Sequence, residues 1–146
     1  MEITVRTVTP HDADEVAEPL IGLLAELSAA ARSLDAASVA SRLRDERVRV
    51  VVGAVDGRLL GTATLTLLVT VTEGLIGRVE DVVVSEPARG SGLGRRLMEA
   101  LHDEARALGI TKVELTSRPS REAANRLYQS LGYERRDTNV YRLRLG

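Results

Sequence analysis

RVEDVVVSEPARGSGLGRRL, residues 78–97, decides how the rest of the chain is read. An apolar run with two adjacent carboxylates, Glu80 and Asp81, leads into a glycine-rich turn, and the turn opens an amphipathic helix. The first backbone N–H groups of a helix have no partner inside it, and the helix dipole leaves that end partly positive. Gly90, Gly92 and Gly94 remove the side chains that would hold a ligand off, so a phosphate can rest against bare amides. Arg89, Arg95 and Arg96 crowd the same end, with no acidic residue between Pro87 and Met98. Cations in a first helical turn are unfavourable by about 0.3–1 kcal/mol each, and an anionic ligand resolves the conflict. The stretch therefore reads as a site for a large phosphorylated cofactor, with proton-transfer groups on the strand that enters it.

Two other anion-binding loops fail on spacing. A dinucleotide fingerprint needs G-x-G-x-x-G, and counting from Gly90 its last position is Arg95. A nucleotide P-loop needs G-x-x-x-x-G-K-S/T, and this stretch has no lysine.

Around this segment the pattern is that of a mixed sheet with helices. Ile3–Thr9 alternates like an edge or half-buried strand. Pro10 and Asp12 signal a helix start, and Pro19 is expected to divide the region that follows into two helices. The small and polar residues 28–38 read as a flexible connection, and a short helix is expected at about 35–45. Valine-rich residues 47–55, the Asp56-Gly57 turn and residues 59–70 predict a hairpin. Residues 77–85 predict the next strand, with Val82, Val83 and Val84 continuously apolar as in a strand buried on both faces. A helix over about 91–108 places Leu93, Leu97, Leu101 and Ala105 on one stripe, with Gly109 as its C-cap. Residues 112–117 predict a strand, and Ser120 can cap a helix ending at Leu131-Gly132. Tyr133–Leu145 predicts a final hairpin.

With 146 residues the chain is long enough for one domain with a sizeable core, and a single domain over 1–146 is expected. Its net charge of −1 argues against a general nucleic-acid binder. The absence of cysteine excludes disulfides, thiolate metal sites and a cysteine acyl-enzyme. No apolar run approaches a membrane span and no leader pattern is present, so a soluble cytoplasmic protein without membrane association is expected. Tyr128, Tyr133 and Tyr141 are its sole aromatic residues. His11 and His102 have no partner at catalytic or metal-ligand spacing, so both read as surface residues and no metal is expected.

Arg89-Gly90-Ser91-Gly92-Leu93-Gly94 resembles the R/Q-x-x-G-x-G/A pyrophosphate motif of the GNAT superfamily of N-acetyltransferases, and it has the strand-before, helix-after context that motif requires. Arg126–Tyr133, RLYQSLGY, resembles the second signature of the family, a helix with a tyrosine followed by Leu-Gly-aromatic. The element order resembles the GNAT fold from end to end. The resemblance implies an α/β (α+β) fold with a mixed, mostly antiparallel twisted sheet of about six to seven strands and about four helices. It also implies acetyl-CoA as cosubstrate, with Val82, Val83 and Val84 beside the pantetheine arm and the amides from Gly90 to Arg95 on the phosphates. Family relatives often carry Asn seven residues before the helix tyrosine. Here Arg121 stands there, and Asn125 is the alternative cofactor contact.

By the same resemblance Tyr128 is the general acid for the departing thiolate, and Glu80 or Asp81 the base for the amine. Adjacent strand residues point to opposite faces, so one carboxylate is expected in the acceptor cleft, Glu80 being favoured. The run around Glu80 is also similar to that of glucosamine-6-phosphate N-acetyltransferases, whose acceptor-binding residues cannot be traced elsewhere in this chain. Glu114 and Thr116 are further candidates to border the acceptor. The expected function is direct acetyl transfer in a ternary complex to a primary amine of a small molecule. A protein N-terminus or lysine as acceptor, and a non-catalytic acetyl-CoA sensor, are the alternatives. Family proteins often dimerise, and nothing in this chain specifies an interface.

Overall fold

The computed structural model describes all residues 1–146, which fall into two units, Met1–Thr116 and Ser117–Gly146. The first unit contains a five-stranded sheet in the order β1-β2-β3-β4-β5. β1 (Ile3–Thr7), β2 (Val48–Val55), β3 (Arg58–Thr70) and β4 (Gly74–Val84) pair antiparallel, and β5 (Val113–Glu114) is parallel to β4. Asp56 and Gly57 join β2 to β3 with φ of 49° and 82°. These are the left-handed values a two-residue turn needs to match the twist of its strands.

Helices cover both faces of this sheet. α1 (Ala13–Leu27) and α2 (Ala36–Leu43) bury Val16, Leu20, Val39 and Leu43 against Val50 and Val52 of β2. α3 (Leu93–Ala107) covers the other face with Leu93, Leu97, Leu101 and Ala105, all nearly or fully buried. Its first turn rests on a pair of glycines, Gly53 of β2 opposite Gly61 of β3. A Cβ on Gly53 would lie 2.5 Å from Leu93 Cδ1, and one on Gly61 2.8 Å from Leu93 Cδ2. Only bare backbone lets the helix start come this close.

α1 runs unbroken through Pro19, contrary to the expected division. Pro19 is exposed, and the apolar residues on the opposite side hold the helix on the sheet. The missing hydrogen bond therefore falls on the solvent side, where helix curvature is tolerated. Residues 28–38 contain a 3-10 turn, Ala29–Ser33, and the start of α2, where Asp35 accepts from the Ser38 N–H at 3.2 Å.

The second unit consists of α4 (Glu122–Ser130) and the residues around it. Arg121, not Ser120, occupies the N-cap. Gly132 follows the helix end with φ of 99°. Residues 133–146 form no strand, and Val140, Tyr141, Leu143 and Leu145 are 74–89% exposed. The sheet thus has five strands where about six to seven were expected, and β5 is two residues long. Alternating apolar residues are insufficient alone, because an isolated two-stranded ribbon in water is marginal.

Candidate functional site

The anion end of the site lies at the start of α3. After β4 the chain makes a 3-10 turn, Glu86–Ala88, then passes through Gly90 and Gly92, whose φ angles are 77° and 90°. Gly92 is the N-cap of α3, in a conformation that costs an L-residue about 1–2 kcal/mol. A Cβ built on either glycine meets no atom within 4 Å, so the space outside the turn is open. No backbone carbonyl accepts from the N–H of Gly92 or Gly94, while the Leu93 N–H donates to Ser91 Oγ at 3.3 Å. Ser91 donates its own hydroxyl to the Ala88 carbonyl. Main-chain donors are therefore left without a carbonyl partner at the positive end of a 15-residue helix whose first turn has no acidic residue. These features fit a diphosphate.

The three arginines contribute differently from the expectation that an anion must offset them. Arg96 donates to the Ile3 carbonyl at 2.7 Å, fastening α3 to β1. Arg95 lies 3.7 Å from Glu99, one turn on. Arg89 Nε donates to the Val84 carbonyl at 3.3 Å. Each guanidinium has a partner within the protein, so the case for an anion rests on the amides.

The carboxylates depart from the sequence reading as well. Glu80 pairs with Thr64 and Val83 with Thr62, which leaves Asp81 and Val82 together opposite Ala63. This is a β-bulge, and Asp81 absorbs the extra residue with φ of 53°. An unbroken pleat would send Glu80 and Asp81 to opposite faces. Because of the bulge, both line one cleft of about 390 Å³. Leu20 and Leu24 of α1 and Val39 and Leu43 of α2 form its apolar side, and Thr64 and Thr66 of β3 its floor.

Glu80 Oε1 accepts from Arg78 Nε at 2.8 Å. Asp81 has no such partner. Asp81 is solvent-exposed as a residue, yet partial desolvation of its carboxyl and then the charge of Glu80 push it above the ordinary carboxylate range. A carboxylate moved in that direction is a stronger base near neutrality.

β4 meets β5 only at Gly77 and Arg78. From Val79 to Val84 its other neighbour is β3 alone, so the edge of Val82, Val83 and Val84 away from β3 has no strand partner. Val83 is buried, and Val82 and Val84 are half-buried. This open edge runs directly into the glycine turn. At the junction Ser85 donates to Glu26 Oε2 at 2.8 Å, which ties the end of β4 to the last turn of α1.

In the second unit Tyr128 lies on α4 and is buried, with its ring centre 5.9 Å from that of Tyr133. Burial raises the Tyr128 hydroxyl above its usual value, with Arg121 acting in the opposite direction. Burial, then Tyr128, push Tyr133 up to about 12. The Asn125 amide donates to the Arg118 carbonyl at 3.0 Å, so its NH₂ group serves the entry to α4. His11 is exposed. His102 is half-buried on α3, and burial, then Arg106, lower its pKa. Glu114 lies on β5, 3.8 Å from Lys112.

The structure thus brings Glu80, Asp81 and the valine edge together beside the turn, and places Asn125 and Tyr128 in the second unit. Sequence reasoning missed Arg42, which lines the cleft, and the Ser85–Glu26 contact. For Arg42 a signal existed, since it lies one turn after Val39 at the margin of the apolar stripe of α2. For the bulge none did.

The sequence profile described as the Acetyltransferase (GNAT) family matches residues 21–133. A glucosamine 6-phosphate N-acetyltransferase of Trypanosoma brucei brucei is 38% identical over 79 residues, which is 53% of this chain and 52% of that protein. Glucosamine 6-phosphate N-acetyltransferase 1 of Oryza sativa subsp. japonica is 31% identical over 120 residues, 77% of this chain and 73% of its own. The crystal structure of a Trypanosoma brucei acetyltransferase is similar with a TM-score of 0.80 at 28% identity, over 99% of this chain and 100% of that one. The chain spans about half the length of the first of these curated relatives.

Proposed function

The chain belongs to the GNAT acetyltransferase family, and from that premise we propose that it transfers an acetyl group from acetyl-CoA to a primary amine on a small molecule. The observation that carries this reading is the open edge of β4 leading into the unpaired N–H groups of Gly92 and Gly94. Acetyl-CoA supplies the acetyl group as a thioester. The residues from Gly90 to Arg95 would hold its diphosphate, and the Val82–Val84 edge its pantetheine arm.

In this reading residues 1–146 act as one catalytic domain. The amine enters the cleft beside Asp81, which takes its proton directly or through water. As the new C–N bond forms and the C–S bond breaks, backbone N–H groups of the valine edge stabilise the charge on the carbonyl oxygen. Tyr128 donates its proton to the leaving sulfur, so the products are an acetamide and free coenzyme A. Asp81 is preferred to Glu80 as base because Arg78 already occupies Glu80. The names of both curated relatives, amine acetyltransferases, support an amine acceptor.

The test is thiol release from acetyl-CoA with a panel of small amines and peptides, alongside calorimetric binding of coenzyme A. Turnover of small amines is expected. Turnover of peptides alone would make the acceptor a protein N-terminus or lysine. Coenzyme binding with no turnover would make the protein a sensor, and no binding would remove the reading altogether.

A further inference from the structure

The cleft beside the carboxylate pair holds one charge of each sign that no ion pair neutralises. Arg42 of α2 lines it together with Asp81, and neither forms an ion pair. The neighbouring arginines do: Arg44 lies 2.8 Å from Asp14 and Arg47 2.7 Å from Asp45. Glu80 is likewise held by Arg78. Much of the wall of the cleft is apolar, supplied by Leu20, Leu24, Leu34 and Leu43.

These features constrain what fits. A free alkylamine is mostly a cation near neutral pH, and Asp81 suits that end of an acceptor. A guanidinium at the same cleft disfavours a second cationic end and presents a planar fork matched to carboxylate or phosphate oxygens. The leucines suit a short hydrocarbon body. Resting on the acetyl-transfer reading above, we propose that the acceptor is a doubly charged molecule: a primary amine on a short apolar body whose other end is a carboxylate or phosphonate engaged by Arg42. The amine is acetylated as described, losing one proton to Asp81 while the thiolate leaves protonated, and the anionic end stays unchanged.

The test uses six-carbon alkylamines ending in methyl, hydroxyl, carboxylate or phosphonate, with the full chain, acetyl-CoA and thiol detection. Removing one charge-assisted hydrogen bond changes binding by about tenfold or more, so the anionic acceptors should exceed the methyl one by at least that factor in kcat/KM. The carboxylate and phosphonate arms show which anion is preferred. In Arg42→Gln the ratio of anionic to neutral acceptors should fall towards one, and in Arg42→Lys part of it should return. Equal or better use of the methyl or hydroxyl amine, or a preference that survives Arg42→Gln, overturns the inference. If none of these amines is turned over, the broader amine and peptide panel decides the acetyl-transfer reading, and calorimetry with hexanoate, hexylphosphonate and hexanol still decides on Arg42. Anion binding that is lost in Arg42→Gln upholds its role, whereas no anion binding, or binding equal in the variant, overturns it.

Discussion

At the start of α3 the protein offers main-chain N–H groups, those of Gly92 and Gly94, in a turn whose glycines point only hydrogen at the open space. Under α1 and α2 it offers side chains: two carboxylates brought to one side by a bulge, a guanidinium, and a wall of leucines. The first region is anchored, because Leu93 is pressed onto the Gly53–Gly61 pair. The second depends on one irregular residue, Asp81, and on side chains from five elements. A site made of backbone accepts almost any surface change except at its glycines, whereas one made of side chains changes its preference with each substitution. One fold can therefore keep a constant cofactor while its acceptor varies.

The sharpest way to separate the two regions is to remove proton transfer without touching the amides. Asp81→Asn should lower kcat by about 10²-fold or more while leaving coenzyme A affinity unchanged by calorimetry, because a positioned acid or base contributes about 10²–10⁴. Tyr128→Phe should behave the same way. A loss of coenzyme affinity equal to the loss of rate would break the division.

The complementary break is Gly92→Val. With φ at 90° a β-branched residue is strained, and its side chain occupies the anion space. Coenzyme affinity should fall by about 10–100-fold, as expected for about 1–3 kcal/mol of lost contact and added strain. At saturating coenzyme the rate should return towards the wild-type value, whereas unchanged coenzyme affinity in the variant would take the diphosphate away from this turn.

Acidity provides a finer comparison within the cleft. A base works only when ionised, and Asp81 is held above the ordinary carboxylate range by burial and by Glu80. The rate should fall with decreasing pH at values higher than an ordinary aspartate would give. Glu80→Gln removes the neighbouring charge, so this limb of the kcat/KM profile should move to lower pH. An unmoved limb would dissociate the two carboxylates. Because the raised folded-state pKa makes ionising Asp81 unfavourable to folding as pH rises through it, Asp81→Asn should also melt slightly higher at neutral pH.

The smallest expected effect tests the anchoring. Gly61→Ala places a methyl group 2.8 Å from Leu93 Cδ2, in a position where Leu93 is 1% exposed and has little room to yield. Overpacking of this kind costs about 1–3 kcal/mol, read as a lower melting temperature, with a weaker secondary loss of coenzyme affinity.

The difference between the regions also governs what could be read from the chain. The glycine turn, the helix after it and the Asp56-Gly57 hairpin are local patterns, because each depends on residues within a few positions of one another. The carboxylates were legible as a pair, yet their placement was not, since the bulge at Asp81 arises from how β4 meets Ala63 of β3. Arg42 escaped notice because it and Asp81 come to line one cleft only after α2 has folded onto the sheet. Pro19 misled for a related reason: helix-breaking is a local tendency, and the packing of α1 overrides it. The final hairpin was the reverse error, an apolar alternation with no ladder to join.

Gly53 and Gly61 carry a consequence for anyone surveying variants by activity alone. Both are covered by Leu93 and Leu97 of α3, and both set the height at which Leu93, and with it the N-cap beside it, sits above the sheet. Enlarging either would be scored as a defect in cosubstrate recognition. The outline of the binding region, drawn by function, would then extend through the helix to the floor on which it stands.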